Sequence, residues 1–172
     1  MLVSIVIDNH HDGFFVARAI DSALAQTHAE VEVVVVGAAT GGAIALPQQG
    51  HAAQVRRVTP ADAGQGPAYN AGFANSRGEL LVFLDADDWL YPDAAAQIVA
   101  AWQPGVSKLQ FRLDLVDTQG QPSGRQLPSE MHAGEDAERL VREFGAYGSP
   151  PASGNAYSAA YLRQVLPMDA SA

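Results

Sequence analysis

Cysteine is absent from the 172 residues, so neither a disulfide framework nor a thiolate metal site is available. That absence fits a reducing compartment. Basic residues are few, ten Lys and Arg against nineteen Asp and Glu, for a formal net charge of −9, and the ten are scattered. Without a basic stripe to meet phosphates, nucleic acid is not an expected partner. No apolar run approaches the roughly 20 residues of a membrane-spanning helix, and the N-terminus has no charged leader of the signal-peptide kind. The expectation is a soluble, cytoplasmic protein without a membrane span. No internal repeat is visible. Hydrophobic content of 48% and charged content of 17% fall in the globular range, and the length suits one good core better than two domains.

What is present is concentrated in Leu80 to Pro92, LLVFLDADDWLYP. Five apolar residues, Leu80 to Leu84, run directly into Asp85, Asp87 and Asp88, separated only by Ala86. A continuous apolar run of this length predicts a strand buried on both faces. Acids placed where such a strand leaves the sheet lie at its carboxyl edge, where open α/β sheets bind ligands. Crowded carboxylates repel unless something positive joins them, and a hard divalent cation bridged to phosphates answers that need. The bland alternative is a solvated acidic turn ahead of the next helix.

The flanking sequence predicts the frame. Leu2 to Ile7 is a β-branched run read as the first, central strand, followed at once by Asp8, Asn9, His10, His11 and Asp12. Asp12 is placed to cap a helix over roughly 13–26. Val31 to Val36 reads as a second buried strand, which makes a parallel βαβ unit of about 35 residues. Gly37 to Gly50 reads as a loop, Gln54 to Val58 as a short third strand, and 68–76 as a helix with Pro67 in its first turn. A helix over Pro92 to Gln103 follows the acidic stretch. Lys108 to Val116 alternates as one half-buried strand, and Gln121 to Ala133 reads as a polar loop. Glu135 to Phe144 is an amphipathic helix, Gly145 to Asn155 is irregular, and Ser158 caps a last helix to about Leu166. The sum is one α/β layer with a mixed sheet.

These residues resemble a known family, the inverting GT-A fold glycosyltransferases of family 2. VSIVI followed by AIDSALAQTH is similar to the family's opening strand and its helix ending in S-x-L-x-Q-T. GQGPAYNAGFANSRGELLVFLDADDWLYPDA resembles the central block, where a helix with Asn-x-Gly leads to the strand carrying Asp-x-Asp. SGNAYS resembles a segment lining the sugar-donor side in one branch. The resemblance covers almost the whole chain, with the central block its specific part. It implies a GT-A fold, α/β with a mixed, mostly parallel sheet flanked by helices, as a single domain over 1–172 whose acceptor part is short or missing.

The resemblance also implies a nucleotide-diphosphate sugar donor, a UDP-sugar first among them, an unnamed acceptor, and Mn²⁺ or Mg²⁺ held by the Asp-x-Asp motif. Matched residue by residue, Asp85 lies near ribose and metal, Asp87 is the metal ligand, and Asp88 acts behind them. Asn70 and Gly72 match the helix block beside the donor, and Gly154 with Asn155 the donor-side loop. There are departures. The family's second strand usually ends in Asp-Asp-Gly-Ser, whose acid reads the base, whereas here Gly37-Ala38-Ala39-Thr40 stands. The first strand usually leads to a turn with Tyr-Asn, whereas here Asp8-Asn9-His10-His11 follows, with His10 able to stack on a base. Tyr69 stands where many members have Arg. Transfer with inversion needs a general base, and no residue is named for it, Asp169 being a terminal polar residue.

Three readings follow: a metal-dependent glycosyltransferase domain, a degenerate GT-A protein that binds without turnover, and a haloacid dehalogenase-type phosphatase with a nucleophilic Asp. The last is disfavoured by the Trp89-Leu90 that follows the motif and by the lack of a later Lys with paired acids. His10-His11 beside Asp8 and Asp12 reads as a polar turn, and His28, His51 and His132 as surface residues. Ser149, Ser153 and Ser158 lack a recognisable nucleophile elbow. Trp89 and Tyr91 are expected to pack beneath the acidic loop.

Overall fold

The computed structural model describes residues 1–9, 15–37, 55–132 and 134–169. Strands β1 (Val3–Asn9), β2 (Val31–Gly37) and β4 (Leu80–Asp85) form where the apolar runs predict them, with β3 (Val55–Val58) beside β2. Two further strands, β5 (Lys108–Gln110) and β8 (Asn155–Ser158), complete a six-stranded sheet in the order β3-β2-β1-β4-β8-β5. The β1–β2, β1–β4 and β2–β3 pairs are parallel, and β4–β8 is antiparallel. The sheet is therefore mixed and mostly parallel, as expected.

Helices α1 (Val16–Leu24), α2 (Gln65–Ala74) and α3 (Ala94–Ala101) follow β1, β3 and β4, and α5 (Ala159–Val165) follows β8. On one face of the sheet Val6, Val34, Val36, Leu81 and Phe83 form a core with Ala68 of α2 and with Ala159 and Leu162 of α5. Ile5, Ile7, Val33 and Val35, of opposite parity along β1 and β2, are buried as well, so both faces of these strands are covered. Both faces being dry is why these strands read as unbroken apolar runs.

Helix α2 begins at Gln65, three residues earlier than predicted, with Gly64 at φ 114° immediately before it. Pro67 thus sits in the first turn, where its missing N–H breaks no helical bond. The sequence QGPAYNAGFA is a poor helix former by propensity, and packing supplies what propensity does not. A Cβ on Gly72 would lie 2.3 Å from Cγ1 of Val6, so only glycine lets α2 approach the sheet this closely. At the opposite end of the strands, Ser4 Oγ donates to Glu32 (2.6 Å) and accepts from Gly78 N–H (2.8 Å). Arg77 Nε donates to the same carboxylate at 2.9 Å. Burial alone would raise the Glu32 pKa, but the bonds from Ser4 and Arg77 outweigh it and hold it below the usual carboxylate value.

The chain divides into two compact units, 1–109 with 156–172, and 110–155. In the second, β6 (Leu113–Val116) and β7 (Pro122–Leu127) form an antiparallel ribbon. This corrects two expectations. Lys108 to Val116 is two strands in different sheets, because Phe111 N–H turns aside to bond Gly154 O (2.9 Å) while the alternation continues through the break. Gln121 to Ala133 is not wholly a loop: β7 lies inside it with all six residues exposed, so it carries no apolar alternation to read. The connecting turn is built on Asp117, whose Oδ1 accepts from Gln119 and Gln121 N–H, with Gly120 at φ 79°. Helix α4 (Glu135–Phe144) ends on Gly145 in the left-handed conformation. Gly145 to Asn155 is not wholly irregular, since a 3₁₀ turn spans Ala152–Gly154 and Asn155 opens β8.

Candidate active site

Both central strands run further than the apolar pattern alone indicates. β1 continues through Asp8 and Asn9, and β4 through Asp85, so that Asp8 and Asp85 are directly paired in the parallel register. Side chains alternate along a strand, so Asp8 shares the face of Val6, and Asp85 that of Phe83. Val6 and Phe83 belong to the core beneath α2, which places both carboxylates on the α2 side of the sheet's carboxyl edge. Asp8 is 4% exposed. From the sequence alone it reads as part of a polar turn. The signal that singled out Asp85, an acid at the end of a buried run, was present there too.

Beyond β4 the chain turns sharply. Ala86 N–H donates to Asp8 O (3.2 Å), and Asp88 N–H to Asp85 O (3.0 Å). The turn leaves Asp87 exposed and Asp85 half-buried. Among the described residues, no three His, Cys, Asp or Glu side chains converge as a metal cage. An ion of the Mg²⁺ type does not need one. It takes one or two carboxylates and fills its remaining positions with water and substrate phosphate, and the Asp85-Ala86-Asp87 turn offers hard oxygen ligands of that kind.

The acidic turn is held from behind by the end of α1. Ser22 Oγ accepts from Leu90 N–H (3.1 Å) and donates to Ala19 O (2.8 Å). Gln26 Nε2 donates to Tyr91 O (2.9 Å), and its Oε1 accepts from Ala95 N–H (2.8 Å) in the first turn of α3. Thr27 N–H donates to Pro92 O (2.7 Å). The polar positions of SALAQT thus clamp residues 90–95 and fix where the carboxylates emerge. Trp89 lies under the Arg18 guanidinium, 3.3 Å from its ring centroid. Tyr91 does not pack beneath the loop as expected. It is 54% exposed, and its backbone carbonyl accepts from Gln26 Nε2.

Tyr69 stands on α2 above the carboxylate pair. Its ring stacks on Phe83, centroids 4.3 Å apart and planes 26° from parallel. Its hydroxyl oxygen is buried and has no hydrogen-bond partner among the described residues. Burial, then the charges of Asp85 and Asp8, push the phenol pKa well above its ordinary value, so Tyr69 is a neutral hydroxyl at every physiological pH.

The remaining expected residues have structural partners. The Asn70 amide makes two reciprocal bonds to the Met168 backbone, Nδ2 to O and N–H to Oδ1, each 2.8 Å. Gly72 serves the close approach of α2. In the second unit, a Cβ on Gly154 would lie 2.5 Å from Pro150 Cβ and 2.8 Å from Phe111 O. Asn155 is buried, and its Nδ2 donates to Pro151 O (2.7 Å) and Ala152 O (3.2 Å). His10, Asp12, His51 and Ala38 to Thr40 lie outside the described residues.

The glycosyl transferase family 2 model matches residues 4–107, which hold β1 through α3 and every group of the carboxylate edge. An uncharacterized glycosyltransferase of Nostoc sp. is 34% identical over 175 residues, covering 98% of this chain and 54% of its own length. The succinoglycan biosynthesis protein ExoO of Rhizobium meliloti is 34% identical over 69% of this chain, 35% of its own length. The chain thus spans about half the length, or less, of these relatives. Among solved structures, S. aureus TarS in complex with UDP-GlcNAc matches 96% of this chain and 47% of its own, with TM-score 0.60 at 18% identity. A mannosyltransferase from Pyrobaculum calidifontis, in complex with GDP-Man and Mn²⁺, matches 95% of this chain and 46% of its own, with TM-score 0.58 at 16% identity. Fold, sequence match and the acidic edge agree: this chain belongs to glycosyl transferase family 2 and carries the GT-A fold.

Proposed function

We propose that this chain is the donor-binding part of a metal-dependent glycosyltransferase that takes a nucleotide-diphosphate sugar, a UDP-sugar first among them, and passes its sugar to an acceptor hydroxyl. The observation that carries the reading is the Asp85-Ala86-Asp87 turn at the carboxyl edge of β4, braced by Ser22 and Gln26. Asp87, exposed in that turn, is the ligand for Mn²⁺ or Mg²⁺, and Asp85 serves both metal and nucleoside. A Mn²⁺ or Mg²⁺ ion held by Asp85 and Asp87 would supply positive charge to offset that of the leaving diphosphate. The chain's own residues orient the donor: the paired strands set the spacing of the carboxylates, and the α1 clamp keeps the turn from relaxing. Asn70 and Gly72 serve the donor site through the frame, Asn70 by holding the Met168 backbone and Gly72 by seating α2. Gly154 and Asn155 hold the turn into β8 within their own unit.

Support comes from the family match across the acidic edge and from structural relatives whose complexes hold UDP-GlcNAc, or GDP-Man with Mn²⁺. Calorimetric titration of UDP, GDP and dTDP, with Mn²⁺ and again with EDTA, tests it. Micromolar binding that needs the metal is the expected result. One observation favours a second reading, a GT-A protein that binds without turnover: β2 ends on Gly37, with no carboxylate at the position that reads the base in many relatives. Metal-independent binding, or none, selects that reading.

A further inference from the structure

Three polar groups, Asp8, Asp85 and the Tyr69 hydroxyl, lie on one face of the sheet edge. Asp8 and Asp85 are adjacent in register, and the Tyr69 ring rides on Phe83, the residue two before Asp85. A buried hydroxyl that has lost water and gained no protein partner is uncommon, and it calls for an explanation. The two carboxylates beside it decide the class of ligand that supplies one. A phosphate oxygen, which only accepts, could answer the phenol but would offer the carboxylates no donor. An ionised carboxylate only accepts, while a neutral phenol donates, so the matching group must donate and accept at once. An alcohol does this, and a vicinal diol does it twice.

We propose that the Tyr69 hydroxyl is a binding residue for the nucleotide's ribose, donating to a sugar hydroxyl whose own proton is accepted by the Asp8–Asp85 pair. The inference rests on the donor-site reading above and adds Tyr69 and Asp8 to it.

The test is a cycle of variant against ligand, made on the full chain with Mn²⁺ present. UDP and GDP are titrated against wild type and Tyr69→Phe, then replaced by their 2′,3′-dideoxy counterparts. Tyr69→Phe should keep or raise the melting temperature of the ligand-free chain, because a buried unpartnered hydroxyl is removed. Affinity for the ribonucleotide should fall about five- to tenfold, the range of one hydrogen bond, and the dideoxy compounds should show no such penalty. Equal losses on both ligand types, or no loss on either, overturn the ribose contact while leaving the donor site standing. Failure of wild type to bind any nucleotide overturns the donor-site reading, and this inference with it.

Discussion

Gly72 shows how much one missing methyl group decides. The close approach to Val6 lets α2 sit low enough for Tyr69 to stack on Phe83 and face the carboxylate pair. Gly72→Ala should therefore destabilise the chain by about 1–3 kcal/mol, the usual cost of overpacking, and thermal or urea unfolding measures it. A variant as stable as wild type would show that α2 can lift without loss. Glu32 offers a second test at this scale, in pH. Its folded pKa lies below its ordinary value, so its contribution is complete above that ordinary value, about pH 4.5, and is lost as pH falls through the folded pKa. Wild type should be more stable than Glu32→Gln at pH 6, and the gap should close on acidification toward pH 3. A gap independent of pH would mean that the carboxylate's charge does not hold Ser4 and Arg77. Residues of this kind were partly legible in the sequence. Asp85 and Asp87 stood out because acids after a buried run are rare. Asp8 carried the same signal but was masked by its polar neighbours. The role of Tyr69 depends on its being stacked on Phe83, which no local pattern encodes.

Among the elements, α1 does more than cover the sheet. Ser22 in its last turn and Gln26 just beyond its end make hydrogen bonds that hold residues 90–95, two of them from Gln26. Gln26→Ala should lower the melting temperature by the equivalent of about 1–3 kcal/mol, since it leaves Ala95 N–H and Tyr91 O without this partner. It should also weaken metal-dependent nucleotide binding several-fold, because the acidic turn loses its anchor. A melting shift with unaltered affinity would make the clamp purely structural. The central strands and α4 could be read from sequence because their burial is uniform or strongly one-sided. β7 could not, since a ribbon strand exposed on every residue leaves no hydrophobic record. The break between β5 and β6 was hidden for a related reason: the alternation runs on while hydrogen-bond partners change.

At the scale of the whole molecule, two compact units are present, and everything argued about the donor site lies in the first. The family match ends at residue 107, close to the unit boundary, so the larger unit carries the family's signature and the smaller one lies beyond it. The relatives are about twice as long or longer. No helix among the described residues is long and apolar enough to cross a membrane. The acidic turn after β4 is the proposed metal-dependent nucleotide site. The most direct measurement is the affinity of UDP, GDP and dTDP for Asp87→Asn beside wild type, in Mn²⁺ and in EDTA, with a thermal melt of both proteins. Loss of the Mn²⁺-dependent component in the variant, at an unchanged melting temperature, is the predicted result. Unchanged Mn²⁺-dependent affinity in Asp87→Asn would contradict the assignment.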